Sequence, residues 1–268
     1  MLPYAGWAFD IDGTLLDSAG VLRPRTIAAL HALRARGALL LTVTALPRRY
    51  ALVKLANVPY LCDRGVFLGG GHLLDGPGGY SHEVSVDLAR GCEILSALEQ
   101  VDPRLQILIQ FGDSHHALRH ELAPELVATW GYDERALVPY GEASHEPYIK
   151  IVAWDDELEL DEAYQSLRQR FSDCARFYLT DGGHSLQVTA VNATKGLGLL
   201  QLLARLGVDP AAVIAFGDGA PDAEMLAVAG TGVAMGNGVD EVRRAASILA
   251  PSNDDDGVAV VIEHLLSA

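Results

Sequence analysis

Phe9-Asp10-Ile11-Asp12-Gly13-Thr14-Leu15 follows the apolar run Gly6-Trp7-Ala8 and sets two carboxylates where a strand should end. An apolar run that stops abruptly in charge reads as a buried strand entering a turn. Asp10 and Asp12 are two apart, so in extended geometry they share one side of the strand end. Gly13 lets the backbone turn sharply there. Paired carboxylates at a strand end can hold a hard divalent cation and offer one oxygen as a nucleophile. An acidic surface turn would look the same in isolation, so the reading depends on what the rest of the chain supplies.

Working outward, Pro24 to Arg36 carries Ile27, Leu30 and Leu33 at helical spacing, with Pro24 suited to a first turn and Gly37 to a cap. Ala38 to Val43 reads as a second strand and Arg48 to Ala56 as a second helix. Such alternation implies a parallel sheet with crossover helices. Asp75-Gly76-Pro77-Gly78-Gly79 is the clearest break and reads as a linker or hinge. Beyond it Val86 to Val101 looks helical, Leu105 to Phe111 and Tyr148 to Trp154 look like strands, and Glu157 to Phe171 like a helix. Arg176 to Thr180 and Ser185 to Val191 form a predicted hairpin. After Asn192 the alternation returns, with helices expected over Thr194–Leu206, Asp222–Ala229, Val239–Ala246 and Val258–Leu266, and a buried strand over Ala212–Phe216. The expected fold is therefore α/β, a Rossmann-like doubly wound parallel sheet, with an inserted α+β module. The core would comprise 1–79 and 189–268, and the insert 80–188.

The 268 residues, half of them hydrophobic, suffice for a large core and argue against disorder. No apolar run is long enough to span a membrane, and no secretory leader fits before Asp10, so the expected location is the cytoplasm. Three dispersed cysteines form no CxxC or zinc pattern. The formal charge of -15 speaks against a nucleic-acid partner. Most of it falls between Tyr80 and Val188, where 20 Asp and Glu face 8 Lys and Arg. Only three lysines occur, Lys54, Lys150 and Lys195. A lysine at a motif position is thus less expected by chance.

Three later segments answer to the first. Thr44 directly follows the second strand, where its hydroxyl could hold a phosphate oxygen or cap the next helix. Lys195, in Asn192-Ala193-Thr194-Lys195-Gly196, stands at a predicted helix start, where the macrodipole disfavours a cation. A salt bridge to a nucleophilic carboxylate and a phosphate would account for it; an exposed lysine would also fit. Phe216-Gly217-Asp218-Gly219-Ala220-Pro221-Asp222 again puts carboxylates at a strand end. Asp218 would complete a cation site with Asp10 and Asp12. Asp222 could hold metal-bound water or cap a helix. In the insert, Asp113-Ser114-His115-His116 with His120 reads as a solvated helix face, His116 and His120 being one turn apart.

Together these segments resemble the haloacid dehalogenase superfamily and, within it, the Cof-type phosphatases. Asp10-Ile11-Asp12-Gly13-Thr14-Leu15 is similar to its first motif, Thr44 to the second, Lys195-Gly196 to the third, and Gly217-Asp218-Gly219 with Asp222 to the fourth. Val233-Ala234-Met235-Gly236-Asn237-Gly238 and Ser252-Asn253-Asp254-Asp255-Asp256-Gly257-Val258 also resemble the subfamily, whose cap is inserted between the second and third motifs. The resemblance implies that Asp10 forms an aspartyl-phosphate and that Asp12 acts as general acid and then base. It implies that Thr44 and Lys195 hold phosphoryl oxygens, and that Asp10, the Asp12 carbonyl and Asp218 bind Mg2+. Two departures stand out: Pro221 where the subfamily usually has Asn, and Leu46 where it usually has Arg, for which Arg48 or Arg49 is a possible substitute.

The function expected from this is a magnesium-dependent phosphatase acting on a small phosphorylated metabolite, with the acidic insert disfavouring polyanions. A phosphosugar mutase would use the same Asp pair, and a catalytically degenerate module would bind a phosphorylated ligand without turning it over.

Overall fold

The computed structural model describes residues 2–113, 115–129 and 136–267. The chain divides into two compact units, Met1–His82 with Lys195–Ala268, and Glu83–Thr194.

The first part of the chain runs β1 (Gly6–Phe9), α1 (Pro24–Ala35), β2 (Leu39–Val43), α2 (Arg48–Lys54), β3 (Arg64–Phe67), β4 (His72–Asp75) and β5 (Tyr80–Glu83). The insert follows with α3 (Leu88–Glu99), β6 (Gln106–Gln110), β7 (His116–Leu118), α4 (Pro124–Thr129), β8 (Lys150–Trp154), α5 (Asp161–Phe171), β9 (Ala175–Thr180) and β10 (Ser185–Ala190). The last part adds α6 (Lys195–Leu206), β11 (Val213–Gly217), α7 (Ala223–Val228), β12 (Thr231–Ala234), α8 (Asp240–Ala245), β13 (Ile248–Leu249) and α9 (Gly257–Ser267).

The core sheet has eight strands in the order β13-β12-β11-β1-β2-β3-β4-β5. From β13 to β3 every pairing is parallel, and β4 returns antiparallel to β3. Alternation along β1 divides the core between two faces. Trp7 and Phe9 pack with Leu30 and Leu33 of α1 and Val258 and Ile262 of α9. Ala8 packs on the other side with Leu199 and Leu202 of α6, Met225 of α7 and Val242 of α8. The doubly wound α/β core expected from the sequence is therefore what the chain forms. Phe216 stacks on Phe9 at 5.1 Å between ring centres, joining the first strand to one more than 200 residues later.

In the insert, the antiparallel sheet has the order β7-β6-β8-β10-β9. Ile107, Ile109, Ile151 and Leu186 line one face with Ile94 and Leu98 of α3 and Leu167 and Phe171 of α5. On β6 the intervening Leu108 joins a smaller cluster with Val127 of α4. No helix among the described residues is long and apolar enough to cross a membrane.

Several sequence-based expectations need correction. The insert begins at Glu83 and ends at Thr194, against the expected 80–188. The Asp75–Gly79 stretch is a turn within the core sheet and not the linker. Asp75 Oδ1 accepts from Gly78 N and Arg64 Nε, and the Gly76 and Gly79 amides donate to the Asp63 and Gly76 carbonyls. At the far crossing, β10 pairs with β9 through Ala190, and Thr189 Oγ1 donates to the Ala193 carbonyl, which keeps 189–194 with the insert. The histidine patch is not a helix face. His116 lies on β7 and is fully buried, His115 Nε2 lies 2.9 Å from Glu146 Oε2, and His120 Nε2 donates to the Pro103 carbonyl at 3.0 Å. Ser114 lies outside the described residues. The helix expected from Glu157 starts at Asp161, because Asp155 Oδ1 accepts from the Glu157 and Leu158 amides and holds a turn there.

Candidate active site

The site is built at the carboxyl ends of the three central strands. Phe9 pairs with Phe216 on one side and Thr42 on the other. Asp10 follows β1, Asp218 follows β11 and Thr44 follows β2. All three therefore stand at one edge of the sheet, where doubly wound folds place their ligands. The Asp10 amide donates to the Phe216 carbonyl at 3.0 Å, fixing the first turn to the last strand of the trio.

Three carboxylates converge there. One oxygen from each of Asp10, Asp218 and Asp222 lies within 4.8 Å of the other two. Lys195, the first residue of α6, reaches into this group and donates to Asp10 Oδ1 at 2.7 Å and Asp222 Oδ1 at 2.6 Å. It is 4% exposed, Asp10 7% and Asp222 1%, so these charges meet largely out of water. Asp222 Oδ2 accepts the Asp218 and Gly219 amides, so Asp222 holds both the lysine and the turn that carries Asp218. Thr14 Oγ1 donates to Asp218 Oδ1 at 2.7 Å.

Three carboxylates against one ammonium leave two negative charges uncompensated, the charge of one divalent cation. The electrostatics reflect this excess. Burial, then the charge of Asp222, raise the Asp10 carboxyl well above its ordinary value against the pull of Lys195. Burial and Asp222 push Asp218 up to about 6, with the Thr14 hydrogen bond opposing. Burial disfavours the Lys195 ammonium, yet Asp10 and Asp222 outweigh it and raise that group overall. Clustered oxygens with excess negative charge fit a hard cation such as Mg2+.

Gly13 is required at the first turn for two separate reasons. Its φ is +74°, and a Cβ at this position would collide with the Asp218 carboxylate. Gly196 serves close packing: a Cβ there would lie 2.9 Å from the backbone carbonyl carbon of Glu224 in α7.

Asp12 does not share one side with Asp10 as extended geometry predicts, while the backbone carbonyl that the resemblance assigns to the metal is a separate atom. The Asp12 carboxylate is not part of the cluster but lies 3.0 Å from Lys54 Nζ at the end of α2, with about half the side chain exposed. The carboxylates of Asp10 and Asp12 thus take different lysines, with Ile11 fully buried between them. Thr44 is buried, and its Oγ1 accepts the Leu46 amide at 3.2 Å, a bond within the loop and not the helix cap that the sequence left open, since α2 begins after Pro47 and has no side-chain cap. Leu46 packs against the apolar core, and Arg48 Nε donates to the Cys62 carbonyl at 2.9 Å. Pro221 is the second residue of the short turn over Ala220–Asp222, where a fixed φ and a missing N–H are tolerated.

Two groups of residues lacked a predicted role. Lys54 carries no local sequence signal beyond the scarcity of lysine. Asn237 and Asn253, in the two downstream motifs, tie down the first turn. Asn237 Nδ2 donates to the Gly13 carbonyl and its Oδ1 accepts the Asn253 amide, while Asn253 Nδ2 donates to the Leu16 carbonyl.

The family model for haloacid dehalogenase-like hydrolases matches residues 7–59 and 133–262, which include every residue of the cluster. The chain belongs to this family. A Haemophilus influenzae protein provisionally named a phosphatase is 28% identical over 262 residues, 95% of each chain. A phosphoglycolate phosphatase of Methanopyrus kandleri is 38% identical over 91 residues, 34% of this chain and 39% of that one. Among solved structures, a haloacid dehalogenase-like hydrolase of Bacteroides thetaiotaomicron superposes with a TM-score of 0.80 at 25% identity, covering 98% and 99% of the two chains. A sugar phosphatase of haloacid dehalogenase subclass IIB shares the fold, with a TM-score of 0.80 at 22% identity over 98% and 99%. The chain is thus a haloacid dehalogenase-like hydrolase, and its full-length match to a protein provisionally named a phosphatase agrees with that family.

Proposed function

We propose that the enzyme is a magnesium-dependent phosphatase hydrolysing a small phosphomonoester, a sugar phosphate or similar metabolite, through an aspartyl-phosphate on Asp10. The observation that carries this reading is the group of buried Asp10 and Asp222 and partly exposed Asp218, with Lys195 paired to the first two and two negative charges in excess. The Asp10 and Asp218 carboxylates with the Asp12 carbonyl would hold the metal. When bound, Mg2+ offsets the repulsion between Asp10 and an anionic substrate and stabilises charge on the transferring group.

Asp10 attacks phosphorus, forming the Asp10 O–P bond as the bond to the leaving oxygen breaks. Asp12 gives its proton to that oxygen, releasing an alcohol. Asp12 then takes a proton from water, whose oxygen attacks phosphorus and frees Asp10 and inorganic phosphate. Lys195, held by Asp222, and the Thr44 hydroxyl contact the phosphoryl oxygens and stabilise the charge that develops on them. Asp222 fixes the Lys195 ammonium in advance.

The inserted unit would serve as the cap that selects the leaving group. Its acidity, most of the chain's excess charge, supports substrates with a single phosphate over polyanions. The phosphatase names among the relatives support the reaction class. The test is phosphate release from a panel of phosphorylated metabolites with Mg2+ and with excess chelator. Metal-dependent hydrolysis of small monoesters is expected. Isomerisation without phosphate release, or full activity in chelator, would overturn the reading.

A further inference from the structure

We propose that Lys54 is a positioning residue that holds the Asp12 carboxylate at the place where it exchanges its proton, an inference that rests on the acid–base role proposed for Asp12. The ion pair is 3.0 Å long and spans two elements, since Asp12 belongs to the turn after β1 and Lys54 ends α2. The two sides of the pair differ in their surroundings. The Asp12 side chain is 51% exposed, whereas that of Lys54 is 21% exposed and its ammonium lies 5.0 Å from the centre of the Tyr50 ring, one helical turn back. The lysine is the anchored partner, and the carboxylate is the one that would otherwise sample rotamers in water.

An isolated exposed ion pair contributes little to stability. Three features set this one apart from a decorative pair. It engages the one carboxylate of the first-motif pair that lies outside the cluster of Asp10, Asp218 and Asp222. It uses one of only three lysines, and a second, Lys195, holds the Asp10 carboxylate. It also ties the turn carrying Asp10 to the helix that follows Thr44, so both ends of the link belong to segments at the site. A general acid placed about 1 Å away from its working position loses up to roughly 10²-fold in rate. Anchoring Asp12 therefore acts on turnover and leaves substrate binding alone.

The test is steady-state kinetics of the magnesium-loaded enzyme with an alkyl phosphate and with an aryl phosphate, whose leaving group needs little protonation. Lys54→Met is expected to lower kcat for the alkyl phosphate by roughly ten- to a hundredfold. The loss should be several-fold smaller for the aryl phosphate, with KM for both nearly unchanged. Lys54→Arg, which keeps a donor at this distance, should recover most of the loss. In an Asp12→Asn background, Lys54→Met should have no further effect. Equal losses for the two leaving groups, a raised KM at unchanged kcat, or independent effects in the double variant would overturn the proposal while leaving Asp12 in its role. If Asp12→Asn alone retained wild-type kcat for the alkyl phosphate, the acid–base reading itself would fall, and the positioning role with it. Thermal melting of each variant, expected within a few degrees of wild type, separates these outcomes from misfolding.

Discussion

Lys195 Nζ lies 2.7 Å from Asp10 Oδ1, a contact between residues 185 positions apart that closes a buried site with more carboxylates than cations. One ammonium cannot neutralise Asp10, Asp218 and Asp222 together, and each consequence of that imbalance is measurable.

Asp10→Asn is expected to abolish phosphate release while preserving the fold. The amide is nearly isosteric but a poor nucleophile, and Lys195 keeps its bond to Asp222. Because one buried negative charge is removed, the metal-free melting temperature should rise above wild type. Wild-type turnover in the purified variant would refute an aspartyl-phosphate on Asp10.

Lys195→Met is expected to do the opposite to stability. It leaves three neighbouring carboxylates with no countercharge, and stripping one side of a buried pair costs about 3–5 kcal/mol. Denaturant unfolding of the metal-free protein at neutral pH measures this. The loss should shrink as the acids are protonated at lower pH. A variant as stable as wild type at neutral pH would contradict the charge imbalance described here.

The pH dependence follows from the raised carboxyls. Asp218 is pushed up to about 6 and Asp10 is also raised, both chiefly by burial. A carboxyl whose folded pKa exceeds its unfolded value holds its proton more tightly when folded. Its contribution is complete below the unfolded value and is lost as pH rises through the folded one. The metal-free enzyme should therefore lose stability between about pH 4 and about pH 7, and the gain in melting temperature on adding Mg2+ should grow across the same range. Asp218→Asn should flatten the metal-free slope. An unchanged slope would mean that Asp218 titrates normally.

Gly13→Ala is expected to remove metal-dependent stabilisation without unfolding the insert. The new methyl group meets the Asp218 carboxylate, and the left-handed backbone at φ +74° is strained for alanine by about 1–2 kcal/mol. Calorimetric Mg2+ titration and circular dichroism of the variant report the two effects separately. Normal metal binding would show that Asp218 can move aside at no cost.

Much of this site was legible because its groups are announced locally. Asp10 and Asp218 each follow an apolar run that reads as a buried strand, and Lys195 is conspicuous in a chain with so few lysines. The strands β3 to β5 gave no such signal: they are four residues each, separated by glycine-rich turns, and β5 carries the polar run Tyr-Ser-His-Glu. The buried Asp75 turned a glycine stretch into an ordered hairpin, which no composition rule distinguishes from a linker. His116 misled for a related reason, since a histidine among polar neighbours reads as exposed until its place on a sheet is known. The pairing of Asp12 with Lys54 depends on where α2 ends relative to the first turn, a tertiary relationship that spacing along the chain does not encode.

The sheet order β11-β1-β2 has a consequence for synthesis. During translation β1 appears early, yet the strand that covers one of its edges begins only at Val213. At about 5–20 residues per second, roughly 10–40 s pass in which Trp7, Ala8 and Phe9 have an open hydrogen-bonding edge. The insert, complete by Thr194, can fold during that interval. The core unit is thus finished last, and a nascent chain stalled before Val213 would carry a folded insert and an apolar strand open along one edge, a target for chaperones or for aggregation.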